Sequence, residues 1–397
     1  MHRLLRRGKS IESLIQEAED LRNEAGDASL SADSAKDQLA VSYGFFSWRQ
    51  MEVYVVQQSQ QSDAFLFLAC LTYSPSDHTS LRRSARSKLE DDPSLANRDV
   101  YHAATVGNVG AVEKFLNNDP GLLYRRGGFF DWEPLLYACY SRLNLSDHST
   151  FDVAKLLLDR GADANAHYMW GGQYRFTALT GAFGEGEMGP SNQQEHEDCV
   201  ELANLLLSGG ADPNDGQALY NRMFEPGQWW IEMLLEHGLN HKHTVNWLEE
   251  DGDRLVPSQE RILDYQLRWA VEKGHIDRAR LLIRAGADAT AKNRFGDSYS
   301  TIAFKRGDLD FSEELASLGS QKQELPEVER FIAVCMSGNI WEAKALLEQN
   351  PDLVSQAETD YADTVGKASG EGNLKGLKVF HELGFNLNKM QGQTPLH

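Results

Sequence analysis

The stretch Leu156-Leu157-Leu158-Asp159-Arg160-Gly161-Ala162-Asp163-Ala164-Asn165 runs an apolar helical segment into a glycine stop. The pattern returns where Leu205 to Leu207 lead to Gly210-Ala211-Asp212-Pro213-Asn214, and where Leu281-Leu282-Ile283 lead to Gly286-Ala287-Asp288. Weaker copies are Leu234-Leu235-Glu236-His237-Gly238-Leu239-Asn240 and Glu382-Leu383-Gly384-Phe385-Asn386. A second mark, Gly followed by Asn, His or Asp, stands at Gly107-Asn108, Gly274-His275, Gly307-Asp308, Gly338-Asn339 and Gly372-Asn373. The last four are 33, 31 and 34 residues apart. Self-similarity at a near-constant period is the mark of a stacked repeat.

Each unit reads as two antiparallel helices. The first ends at Gly, which tolerates positive φ and lets the chain reverse, and Asn, His or Asp then starts the second. Neither helix buries its apolar face alone, so stability comes from stacking between units. Gly161 and Gly286 are expected at positive φ, where Ala would cost about 1 kcal/mol or more.

These residues resemble the ankyrin repeat family over roughly residues 98 to 397. Tyr101-His102-Ala103-Ala104 is similar to the family's Leu-His-x-Ala-Ala helix, and Thr394-Pro395-Leu396-His397 to the start of a further repeat, truncated over 391–397. Glu133-Pro134-Leu135-Leu136 departs from Thr-Pro-Leu-His, and Asp119-Pro120-Gly121 and Asn350-Pro351-Asp352 depart from Gly-Ala-Asp. The resemblance implies an all-α, ankyrin-type α-solenoid with short β-turn fingers. Units are expected near 63–97, 98–126, 131–166, 173–214, 215–246, 261–292, 293–325, 326–356 and 359–390, divergent at 63–130 and with insertions in 141–258. The last unit, lacking a stacking neighbour, is expected to unfold more easily than the central ones.

Residues 1–62 form the expected leader. Ile11, Leu14, Ile15, Ala18 and Leu21 keep helical spacing, and two further helices are expected around Lys36 to Tyr43 and Ser47 to Gln57. The pattern Leu39-Ala40-x-x-Tyr43-Gly44-Phe45-x-Ser47-Trp48 resembles the leader ahead of ankyrin repeats in many bacterial proteins. It is expected to cap the array by docking on the unit beginning near Asp63.

The 397 residues carry 39 Lys plus Arg against 59 Asp plus Glu, a net charge of −20 spread by hundreds as −3, −6, −5 and −6. No hundred is a basic platform, which argues against nucleic acid as a partner. The longest apolar run, Ala64 to Leu71, is far short of the ~20 residues that span a bilayer. Met1 to Ser10 is basic but leads into no apolar stretch of a secretory signal. Cys70, Cys139, Cys199 and Cys335 stand far apart among apolar residues and read as core thiols. A cytoplasmic monomer is the expectation.

Chemical motifs fail on context. Gly184-Glu185-Gly186-Glu187-Met188-Gly189 has dinucleotide-loop spacing, but no strand precedes it and two glutamates would repel a pyrophosphate, so a flexible insertion is expected. Gly8-Lys9-Ser10 lacks the earlier glycine of a phosphate loop. His237, His241 and His243 flank a turn and a finger beside Lys242, and Glu249 to Asp253 lacks the later ligands of a calcium loop. No nucleophile, metal or kinase signature is found, so neither catalytic residue nor cofactor is assigned. Trp229-Trp230 opens a helix and reads as packing.

Two consecutive fingers are unusually aromatic. Arg125, Arg126, Phe129, Phe130 and Trp132 occupy one, and Tyr168, Trp170, Tyr174 and Arg175 the next. Rings and arginines are enriched in binding hot spots. At least three of these side chains are expected to reach solvent as one patch for a partner protein's apolar or acidic segment; packing across adjacent fingers is the competing outcome. The expected function is a non-enzymatic scaffold for protein–protein interaction. The rivals are a regulatory segment of a longer enzyme with its catalytic domain beyond His397, and a small-molecule sensor.

Overall fold

The computed structural model describes residues 2–6, 8–24, 30–58, 62 and 64–387. The chain is mostly helical and divides into two compact units, Met1–Ile262 and Leu263–His397.

In the first unit strand β1 (His2–Arg3) precedes the leader helices α1 (Ile11–Glu24), α2 (Ala32–Ser42) and α3 (Trp48–Gln57). Five helix pairs follow: α4 (Phe65–Ala69) with α5 (Thr79–Asp91), α6 (Val100–Val106) with α7 (Val109–Asn118), α8 (Pro134–Tyr140) with α9 (Thr150–Asp159), α10 (Ala178–Phe183) with α11 (Cys199–Ser208), and α12 (Gly216–Arg222) with α13 (Trp229–Glu236). A hairpin of β2 (His167–Trp170) and β3 (Tyr174–Thr177) precedes α10. Another, of β4 (Leu248–Asp251) and β5 (Arg254–Pro257), follows α13.

The second unit contains α14 (Ile262–Lys273) with α15 (Ile276–Arg284), α16 (Tyr299–Arg306) with α17 (Leu309–Ser317), α18 (Glu327–Met336) with α19 (Ile340–Gln349), a single helix α20 (Leu353–Asp360), and α21 (Thr364–Gly370) with α22 (Leu374–Glu382).

The Gly-Asn marks make the turn within a pair. Gly107 ends α6 in the left-handed region, and the Asn108 side chain accepts a hydrogen bond from the Ala111 amide at 3.1 Å to open α7. Asn339 and Asn373 cap α19 and α22 in the same way. Gly161 and Gly286, at the pair ends, hold φ of 96° and 101°.

Within the first unit first helices pack on first helices, α6 on α8, α8 on α10 and α10 on α12, while α9 lies between α7 and α11. Leu157 and Leu206, from two of the leucine triplets, are fully buried there. In the second unit α18 packs against α16, α20 and α22, around a core that includes Phe331, Leu353 and Phe380.

Three features lie outside the sequence expectation. Both hairpins fall where turns and insertions were expected, and α20 has no counterpart among the units. The basic start forms β1, which pairs antiparallel with β5 in a three-stranded sheet ordered β1-β5-β4. The insertion at 184–194 is also no loose loop. Arg142, 2% exposed, donates to the carbonyls of Gln194 at 2.7 Å, Gly181 at 2.6 Å, Cys139 at 3.0 Å and Ser141 at 2.8 Å, binding the insertion to α8 and α10. Residues 391–397 lie outside the described residues. Among the described residues no helix is long and apolar enough to cross a membrane.

Candidate functional site

The two aromatic fingers are brought together, but inward. In the β2–β3 hairpin Tyr168 is opposite Phe176 and Trp170 opposite Tyr174, so alternation puts all four rings on one face. Trp132 stacks on Tyr168 with centroids 4.5 Å apart, and Phe130 stacks on Trp132 at 4.2 Å. Phe130 and Trp132 are 3% exposed and Tyr168 is 6% exposed.

The leader covers the half-buried remainder. Tyr54 meets Trp170 edge-on at 5.2 Å, Arg49 lies 5.2 Å over the Phe129 ring, and Arg126 lies 5.2 Å over Phe46. Ser47 donates to the Asp131 carboxylate at 2.6 Å, and Gln50 to the Asp131 carbonyl at 3.0 Å. Arg125 is exposed and paired with Asp119 at 2.8 Å. Arg175 is half-buried and reaches the Asn165 carbonyl at 3.4 Å, while Tyr174 packs 6.0 Å from Trp170.

Of the expected patch, Phe130, Trp132 and Tyr168 are buried, Arg125 and Arg126 are exposed, and Phe129, Trp170, Tyr174 and Arg175 are half-buried. Phe130, Trp132 and Tyr168 reach a partner only if this packing is displaced, because rings of this size gain more from mutual burial than from facing water. These fingers receive leader side chains; Asp63, near which docking was expected, lies outside the described residues.

An open groove does exist in the second unit, where sequence reasoning placed nothing. Its volume is about 520 Å³. Helix α14 contributes Tyr265, Arg268, Trp269 and Glu272, at the i, i+3, i+4, i+7 spacing of one helix face. Helix α16 contributes Ile302, Lys305 and Arg306, again one face, and α21 contributes Lys367. The turn before α16 supplies Asn293, Arg294, Phe295 and Asp297.

That turn is built by Asn293, whose side-chain oxygen accepts from the amides of Phe295 and Asp297, both at 3.0 Å. Phe295 is thereby held out at the tip, 74% exposed, with the Arg294 guanidinium 4.8 Å from its ring centre. Arg268 lies 5.0 Å over Tyr265, and Lys273 4.8 Å over Trp269.

Some of the basic groups are fixed. Lys305 bridges Asp297 at 3.2 Å and Glu329 at 3.0 Å; burial works against its charge, but these partners prevail and raise its pKa. Arg306 reaches Glu371 at 2.9 Å and Asp308 at 3.3 Å. Among the described residues Arg294 and Lys367 have no carboxylate partner. The local field is positive enough to be felt by His275, whose pKa is pushed down to about 4 by burial and then by Arg278, Arg306 and Lys273.

The charge tally by hundreds hid this region. Residues 263–306 hold nine Lys plus Arg against five Asp plus Glu, a basic island inside a window whose total is negative. Chemically, the groove offers aromatic faces, an aliphatic floor at Ile302 and guanidinium donors suited to carboxylates. Among the described residues no group of three His, Cys, Asp or Glu side chains stands ready for a metal ion. All four cysteines are free and buried, and burial pushes their pKa values up to about 12.

No protein-family model matches this chain, and no curated protein matches it.

Proposed function

We propose that the chain is an ankyrin-type repeat protein that acts by binding another protein and performs no chemistry of its own. The observation that carries this reading is the groove of the second unit, formed by the first helices of its pairs and the turn between them, with Phe295 held out at its edge. Support for the repeat type comes from helix pairs joined by Gly-Asn turns and stacked first helix on first helix. Free, buried cysteines agree with a reducing, cytoplasmic setting.

The test is a pull-down with the full chain and with a variant carrying Arg294→Glu and Lys367→Glu. A partner retained by the parent and lost by the variant, with unchanged melting, is the expected result. A partner held equally by both overturns the groove as the contact face.

A further inference from the structure

We infer that the groove of the second unit accepts an acidic peptide segment bearing an aromatic or aliphatic side chain between its carboxylates. This deepens the reading of the chain as a protein-binding repeat and rests on it.

Charge complementarity is the first argument. The whole chain carries −20, yet the groove is lined by five basic side chains and two carboxylates. Lys305 and Arg306 already hold carboxylate partners of their own and Arg268 lies 5.0 Å over the Tyr265 ring, so Arg294 and Lys367 are the cations offered to a ligand. These two belong to separate elements, the turn 293–297 and α21, so an extended segment crossing the groove meets one basic group from each. Arginine can hold a carboxylate with two parallel N–H donors, which adds orientation to attraction.

The apolar surface is the second argument. Phe295 projects into solvent beside Trp269, Tyr265 and Ile302, and an exposed ring at a groove edge loses little rotamer freedom when covered. A purely ionic ligand would leave these faces wet. One apolar side chain among the carboxylates covers them, so the preferred motif alternates charge with a hydrophobic anchor. Nucleic acid also combines charge with stacking faces, but its regularly spaced phosphates require a long basic stripe. Here Glu272 and Asp297 interrupt the basic lining, and the chain's total charge repels a polyanion at long range.

The experiment is fluorescence polarisation with the full chain and short labelled peptides: Asp/Glu interrupted by Trp or Leu, the same with Gln and Asn for the acids, and the same acids with Gly for the anchor. An oligo-dT strand of similar charge is run alongside. The acidic, anchored peptide should bind at least ~tenfold more tightly than either control, and should weaken steeply toward half-molar salt. Arg294→Gln and Lys367→Gln together should cost about tenfold, and Phe295→Ala a similar factor, with melting curves unchanged.

Equal binding of the amide peptide, or tighter binding of oligo-dT, overturns the inference. If no acidic peptide binds while a pulled-down partner still depends on Arg294 and Lys367, the acidic motif fails and the protein-binding reading stands. If the partner is indifferent to both residues, the groove fails as well.

Discussion

Gly44 and Gly172 meet backbone to backbone, each in the left-handed region with φ of 83° and 70°. A Cβ on Gly44 would strike the Gly172 carbonyl, and one on Gly172 would strike the Tyr43 carbonyl. This close approach seats the leader on the β2–β3 hairpin. Gly172→Ala should therefore combine backbone strain with a collision, at a cost of about 2 kcal/mol or more. Limited proteolysis should then cut within α1 to α3 sooner than in the parent chain. A digestion pattern and melting curve matching the parent would show that this contact does not hold the leader.

Trp132 and Trp341 separate core from surface. Trp132 is 3% exposed between Phe130 and Tyr168, whereas Trp341 is 82% exposed near the start of α19. Trp132→Ala should lower stability by about 3 to 5 kcal/mol, and Trp341→Ala should stay within about 0.5 kcal/mol. Thermal melts of the two variants decide it; a mild Trp132→Ala would restore the exposed reading of that finger.

Arg142 should be as important as a core aromatic. Its guanidinium satisfies four backbone carbonyls away from water, and burial lowers its pKa from the usual arginine range. Arg142→Met keeps much of the volume but leaves those carbonyls unpaired, which should cost about 3 kcal/mol or more. Hydrogen exchange should speed up across residues 184–198 before it does in α6 and α7. Uniform protection in the variant would contradict the assignment.

His196 should make stability pH-dependent. Its Nδ1 accepts from the Asp198 amide at 3.0 Å, so Nε2 carries the proton and donates to Thr150 Oγ1 at 2.8 Å. Burial, reinforced by Arg142, pushes its pKa from 6.5 down to about 3. The unfolded chain thus binds a proton that the folded chain refuses. Stability from this group is complete above pH ~6.5 and declines as pH falls toward about 3. Denaturant titrations should give a shallower decline over that window for His196→Gln; identical slopes would remove His196 as a contributor.

What was legible in the sequence was local. Gly107-Asn108, Gly338-Asn339 and Gly372-Asn373 announce their turns because a left-handed residue followed by a side-chain cap needs only neighbours. The β2–β3 hairpin was also within reach, since His167 to Trp170 and Tyr174 to Thr177 flank Gly171-Gly172, but it was read as an exposed finger. Packing of Trp132 across the adjacent finger was foreseen only as the competing outcome, because Tyr168 lies far away in sequence and the leader that covers the neighbouring rings farther still. The groove was missed for another reason. Tyr265, Arg268, Trp269 and Glu272 come onto one face only once the helix is formed, and they meet Arg294, Phe295 and Lys367 only in the folded unit.

The pairing of β1 with β5 sets an order of events in time. His2 is opposite Leu255, and Arg6 is bound to Asp253, so β1 finds its sheet partner only after some 250 more residues have been made. Closing so long a loop costs entropy before any contact compensates it, and such non-local pairings form late. On the ribosome β1 has no strand to pair with while the first helix pairs assemble behind it. The three-stranded sheet is thus among the last parts of the first unit to close.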